Sequence, residues 1–546
     1  MKASFKPLGL AAAVAAATAG YTGAANATVA ANQLGDLALV PYYTVQNGFV
    51  TGVHIINTSE ATQVVKLRMR RASDSMDALD FNLIMSPKDE WTGWIDISDS
   101  GEIAFNTGDN TCTAPQLTNG RFVMPDDMSD TTLVDFRTGA EEGYIEVIGM
   151  GQPDSESAPI AVAAKHGSDG VPADCNAVAS NFYRATSFAT ATGVITATPT
   201  ENGVQSPILT HQCKADAVTG LAPENCSGAA SVVPNNYVDS ENALKVSYFI
   251  RDTAGGLEMG SNAVHIEDFS ASTADAMITN QQTQLAGSFD PMGYLFPDLD
   301  GGSPFVDTAG NTNVTTVNRG LFDTVIRPDL GALEIVNDWS TNPANNVRTD
   351  WVVTFPGQYT MLNIFSYIAA LPDVTVTTDG TGTCTFANTC DLRDIPVDVS
   401  LTVYDREEQS FTPAEGGLVV SPSISATPEG FILPNEVNVI EWASVGVTPE
   451  PVLGSDYAVT NTVQLADAVA GWAELDVKAD PTKGGAQSVF EYMIDPNLPG
   501  AALGPVAVTS VEQVPMIGFT AWERSFPSNP DANYGRIIDH SFVVSS

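Results

Sequence analysis

From residue 28 onward the chain alternates apolar and polar positions with a period of two, which is the spacing of a strand that buries one face. Phe49 to Asn57 and Gln63 to Arg71 form two β-rich runs separated by Thr58-Ser59-Glu60-Ala61. In the second run Val65, Leu67 and Met69 share one face while Lys66, Arg68 and Arg70 share the other. Leu79, Phe81, Leu83 and Met85 repeat the alternation, and a Ser86-Pro87 turn leads to a strand carrying Trp91 and Trp94. Short strands punctuated in this way predict an all-β fold, built of two or more immunoglobulin-like β-sandwich units with long disulfide-bearing loops.

Residues 100–240 are less regular and rich in Gly, Asn, Asp and Thr, with small strands predicted at Gly143 to Gly149 and Gly193 to Thr198 and one short helix around Ala173 to Tyr183. Strand patterns return at Leu244 to Arg251, at Leu333 to Trp339 and at Asp350 to Phe355. The loop Ser340-Thr341-Asn342-Pro343-Ala344-Asn345-Asn346 suits a hairpin between the last two. Val397, Val399, Leu401 and Val403 alternate with Asp398, Ser400 and Thr402, and further runs follow at Val437 to Trp442, Trp472 to Val477 and Pro515 to Trp522. The expected organisation is a signal peptide over residues 1–27, an N-terminal sandwich with a loop-rich insertion over 28–240, and a C-terminal sandwich region over 241–546.

The first 27 residues read as a secretory signal, with Lys2 and Lys6, an Ala-rich apolar run over 8–17, and Ala25-Asn26-Ala27 as a cleavage site. No later stretch is apolar for long enough to predict a membrane span. The chain of 546 residues carries 65 acidic against 23 basic side chains, for a net charge of −42. Only 16% of residues are charged, against roughly 25% in an average soluble domain, so the acidity reflects scarce bases. That charge repels phosphate and argues against nucleic acid as a partner. Six cysteines in an exported chain predict disulfides, and local spacing favours Cys112–Cys175, Cys213–Cys226 and Cys384–Cys390.

Catalytic motifs are absent from the sequence. His54, His166, His211, His265 and His540 fall in no H-E-x-x-H arrangement, and neither a G-x-S-x-G elbow nor a phosphate-binding loop occurs. Carboxylates are so numerous that no glycosidase pair can be chosen from sequence. Asp298-Leu299-Asp300-Gly301-Gly302 is the candidate metal site, with Ca²⁺ as the ion and Asp290 and Asp307 near in sequence. Lys66, Arg68, Arg70 and Arg71 pack four of the scarce bases into six positions, with Lys66, Arg68 and Arg70 on one strand face. That face reads either as a solvated surface paired with acids or as a docking strip for a second copy or an anionic polysaccharide. Trp91 and Trp94 point to opposite sides of their strand, so one of them is the candidate exposed aromatic for sugar stacking.

Four stretches, Val53-His54-Ile55-Ile56-Asn57-Thr58-Ser59, Thr349-Asp350-Trp351-Val352-Val353-Thr354-Phe355-Pro356, Tyr404-Asp405-Arg406-Glu407-Glu408 and Pro515-Met516-Ile517-Gly518-Phe519, resemble uncharacterised exported cell-surface proteins of Gram-negative bacteria. The resemblance implies a secreted or surface role and no catalytic residues. The expectation is a non-enzymatic structural or adhesion protein acting in coat, matrix or filament assembly, placed outside the cell or alternatively in the periplasm. A secreted protein that binds or cleaves carbohydrate, neutral or anionic, is the second reading.

Overall fold

The computed structural model describes residues 28–116 apart from 74 and 76, then 120–124, 139–181, 237–270, 277–278, 297–301, 321–357, 397–407, 431–477 with short gaps, and 514–543. Short strands elsewhere, such as Cys384–Asp391, are described by their backbone. The chain is all-β at its core, as the alternation predicts, and four large sheets form two sandwiches.

Sheet I runs in the order Thr28–Val29, Val264–Glu267, Leu37–Thr44, Glu142–Pro153, Gln63–Arg71, Asp77–Met85, Cys112–Ala114. Sheet II runs Leu257–Asn262, Leu244–Asp252, Phe49–Asn57, Glu90–Ile97, Ile103–Asn106, Arg121–Val123. Their facing sides interdigitate around Leu67, Phe81, Val147, Val53, Trp91 and Phe105, the arrangement that two half-apolar sheets reach when each buries one face. Strands beyond residue 241 therefore complete the first sandwich, and the expected border at 240/241 moves to the far side of Glu267. Non-local pairing wins over sequence order here: Leu244–Asp252 adds beside Phe49–Asn57 because that edge of sheet II is where its apolar face finds the core.

Sheet III runs Leu418–Val420, Val459–Leu465, Val437–Ser444, Val347–Thr354, Ile517–Arg524, Tyr534–Asp539. Sheet IV runs Ser410–Phe411, Val397–Asp405, Ala470–Val477, Glu334–Ser340, Ser541–Val543. The second core lies between them and centres on Trp339, Trp351 and Trp442. The predicted hairpin at residues 340–346 is corrected. Glu334–Ser340 belongs to sheet IV and Val347–Thr354 to sheet III, so the loop carries the chain from one layer to the other. Both flanking strands bury a tryptophan, and Trp339 and Trp351 enter the shared core from opposite layers.

Neither sandwich is free-standing. The second face of sheet III contributes Val352, Val437, Val439, Phe519 and Ala521 to the first core. Hydrogen bonds stitch the seam: Thr354 Oγ1 donates to the Pro41 carbonyl at 2.7 Å, Asn47 Nδ2 to the Gly454 carbonyl at 2.7 Å, and Ser455 Oγ to Glu142 at 2.7 Å. The outer side of sheet I is covered as well. The helices Pro159–Ala164 and Cys175–Asn181, of which only the second is expected from sequence, pack with Val64, Ile84 and Met150.

The Cys112–Cys175 disulfide is present and ties an edge strand of sheet I to the second of these helices. Cys213 and Cys226 lie outside the described residues, and so do the side chains of Cys384 and Cys390. With the bonded cysteines 63 positions apart in sequence, the loop-closure relation predicts that the Cys112→Ala, Cys175→Ala variant loses ~4 kcal/mol. Urea unfolding of the two proteins under oxidising conditions checks this, and identical midpoints would count against a structural role for the bond.

Candidate binding faces

Sheets I and III are covered on both sides, whereas the outer faces of sheets II and IV are open. On sheet IV the residues that alternate away from the tryptophan core form three cross-strand rows: Ser400, Asp476 and Glu334; Thr402, Glu474 and Val336; and Tyr404, Trp472 and Asp338. Direct opposition brings the Tyr404 and Trp472 rings into a parallel stack, with centroids 4.1 Å apart and planes 9° from parallel. Trp472 is 39% exposed. Beneath it, the Trp339 indole N–H donates to the Trp472 carbonyl at 3.2 Å, so the exposed ring stands on a strand bonded to the core.

Beside the stack, Glu334, Glu474 and Asp476 bring one carboxylate oxygen each to within 4.8 Å of one another. Burial together with the adjoining Glu474 and Asp476 pushes Glu334 up to about 7, as expected where like charges share a site. The Tyr404 hydroxyl donates to Glu474 at 3.4 Å. Among the described residues this donor set suits a hard divalent cation or a shared proton. It does not suit glycoside cleavage, because all three carboxylates rise from one side of an open face and cannot flank a scissile bond.

The sequence candidates fall elsewhere. Lys66, Arg68, Arg70 and Arg71 are all buried, between 0% and 6% exposed, which corrects their expected role as a solvated or docking strip. Their face of sheet I lies inside the protein, where Lys66 meets Asp80 at 3.4 Å and Arg70 meets Glu146 at 3.1 Å. Charges this deep survive only when paired. Asp298 and Asp300 form a turn in which Asp298 accepts the Asp300 N–H at 2.9 Å and Asp300 accepts the Phe322 N–H at 3.1 Å. Asp300 thus holds the first turn of the helical segment at Phe322–Ile326 and Asp298 holds the turn that presents it, while Asp290 and Asp307 lie outside the described residues. Trp91 is fully buried and Trp94 is 40% exposed, so Trp94 is the outward member of that pair.

The buried histidines serve the structure, and His211 lies outside the described residues. His540 is buried beside Trp351, its ring nitrogens 2.9 Å from the Val352 carbonyl and 2.8 Å from Asn337, and burial lowers its pKa to about 3. His265 accepts the Val246 N–H at 2.8 Å and is lowered by burial to about 4. His166 Nδ1 lies 3.0 Å from Ser86 Oγ, and its Nε2 lies 3.0 Å from Asn110 Oδ1. This chain has the order of nucleophile, base and orienting group. However, the Ser86 N–H is given to Asp89 at 3.2 Å, and the next residue is Pro87, which has no N–H. The two amides nearest the hydroxyl therefore cannot stabilise an oxyanion.

The comparisons add no relative: no family model, no curated protein and no solved structure matches the chain.

Proposed function

We propose that this chain is a non-enzymatic, exported structural or adhesion protein of the cell surface, whose sandwiches serve as immunoglobulin-like scaffolds and whose sheet IV face holds a neutral polysaccharide. The observation that carries this reading is the Tyr404–Trp472 stack on an open face, bordered by Ser400, Thr402, Asp338 and Glu474. Sugar rings present apolar C–H faces that lie against an aromatic ring, while their equatorial hydroxyls donate to carboxylates at its margin. An acidic margin on a chain of net charge −42 repels uronates and sulfates, so a neutral polymer fits better than an anionic one. A flat face is suited to a long polymer surface and not to a cleaved end, in keeping with the absence of catalytic motifs from the sequence.

The test is retention of the mature chain on insoluble neutral polysaccharides (cellulose, chitin and β-1,3-glucan), measured as depletion isotherms. Trp472→Ala is expected to weaken binding by roughly tenfold, equivalent to about 1.4 kcal/mol, with an unchanged melting curve. Wild-type protein that stays in solution with every polymer would overturn the reading.

A further inference from the structure

The open face of sheet II is built on a different plan. Its central row runs Gly260, Phe249, Gly52, Trp94, Asn106 across five adjacent strands. Phe249 is 38% exposed and Trp94 is 40% exposed. A Cβ at Gly52 would collide with the Phe249 ring, so the ring lies across the glycine and the floor between the two aromatics stays flat. The charges follow the strands. Leu244–Asp252 presents Lys245 and Arg251 outward, one on either side of Phe249. Glu90–Ile97 presents Glu90 and Asp96, one on either side of Trp94. The strand between them, Phe49–Asn57, sets the rows: Lys245 pairs Ile56, which pairs Glu90, and Arg251 pairs Val50, which lies one step beyond the Thr51–Ile95 pair and hence beside Asp96.

This pattern is complementary to itself. Turning a second copy by 180° about the axis of the Phe49–Asn57 strand and laying it face to face exchanges the two flanking strands while keeping each row. Lys245 of one copy then stands over Glu90 of the other, Phe249 over Trp94, and Arg251 over Asp96, with the Phe249 ring that covers Gly52 lying at the axis. Arg121 and Glu258, outboard on opposite sides of the sheet, are brought toward each other by the same rotation. Within one copy Glu90 is held by His54 at 2.7 Å and Asp96 by Asn106 at 2.9 Å, so both acids are already oriented on the face, while Arg251 meets Glu258 of the neighbouring strand at 3.9 Å, an exposed pair that the dimer would exchange for contacts across the seam. Elsewhere a body of net charge −42 repels its copy. Here three cations and three carboxylates balance around an aromatic centre, which is the layout of an interface with an apolar core and a polar rim.

We propose that the outer face of sheet II is an isologous dimer interface between two copies of this chain, with strands aligned as in face-to-face sheet packing. Such a dimer carries two sheet IV faces and would hold a polymer with avidity.

Sedimentation equilibrium of the mature chain, from 1 to 100 μM in 0.15 M salt, tests the interface. The wild type is expected to be dimeric at the upper end. Arg251→Asp places like charges over Asp96 and is expected to raise the dissociation constant at least tenfold, and the reciprocal Arg251→Asp, Asp96→Arg chain is expected to dimerise again. Phe249→Asp is expected to be monomeric with the wild-type melting temperature. A wild type that stays monomeric at 100 μM overturns the proposal, as does a dimer that survives both Phe249→Asp and Arg251→Asp. Trp472→Ala must leave the dimer intact, so a failed sugar reading and a failed interface give different results.

Discussion

Arg68→Glu combined with Arg70→Glu is expected to yield no folded protein. Both guanidiniums are buried on the covered side of sheet I, and Arg68 sits in register between Asp80 and Glu146 on the adjoining strands. Reversing its charge places three carboxylates in one buried row. Removing one partner of a buried pair costs about 3–5 kcal/mol, and inverting two charges costs more than that. The whole stability of a domain is only about 5–15 kcal/mol. Expression with circular dichroism and limited proteolysis checks the outcome. The milder Arg70→Met leaves Glu146 beside Arg68 in the same row and is expected to fold with a lowered melting temperature. A charge-reversed chain that melts like the wild type would show that this face is solvated after all.

The same strand shows how far the pattern of residues could be read. Alternation in Gln63–Arg71 correctly separates Val65, Leu67 and Met69 from Lys66, Arg68 and Arg70, because period two is a property of the local backbone. What covers the basic side is decided by segments distant in the chain, and their arrival leaves no mark on the strand itself. The 340–346 loop misleads for a related reason. Its turn residues suit a hairpin, but whether two strands pair or pass to opposite layers depends on where Trp339 and Trp351 find their core. That one of Trp91 and Trp94 faces outward was legible because only sequence parity was needed, and the position of the core decides that it is Trp94. The sheet IV face was not, because Glu334, Tyr404 and Glu474 are brought together across three strands that lie up to 140 residues apart. The alternation of Ser400 and Thr402 with buried valines was the one local hint of that face.

Trp351→Ala is expected to cost about 3–5 kcal/mol, the range for deleting a large aromatic from a packed core. Its ring is fully buried, with its centroid 5.2 Å from that of Trp442, which in turn stacks on Trp339 at 5.2 Å. Its indole N–H donates to the Asp338 carbonyl at 2.9 Å. Truncation therefore opens a cavity and strands an acceptor in one step. The location of the cost matters more than its size. Trp351 faces the second core, while its neighbour Val352, on the other side of the same strand, faces the first. Loosening the Val347–Thr354 strand should therefore weaken both sandwiches, so that calorimetry shows one transition moving down as a unit. It should also weaken polymer retention through Trp339, whose N–H supports the Trp472 strand from below. Two separated transitions, with the upper one unmoved from wild type, would mean that the seam joins the sandwiches without coupling them.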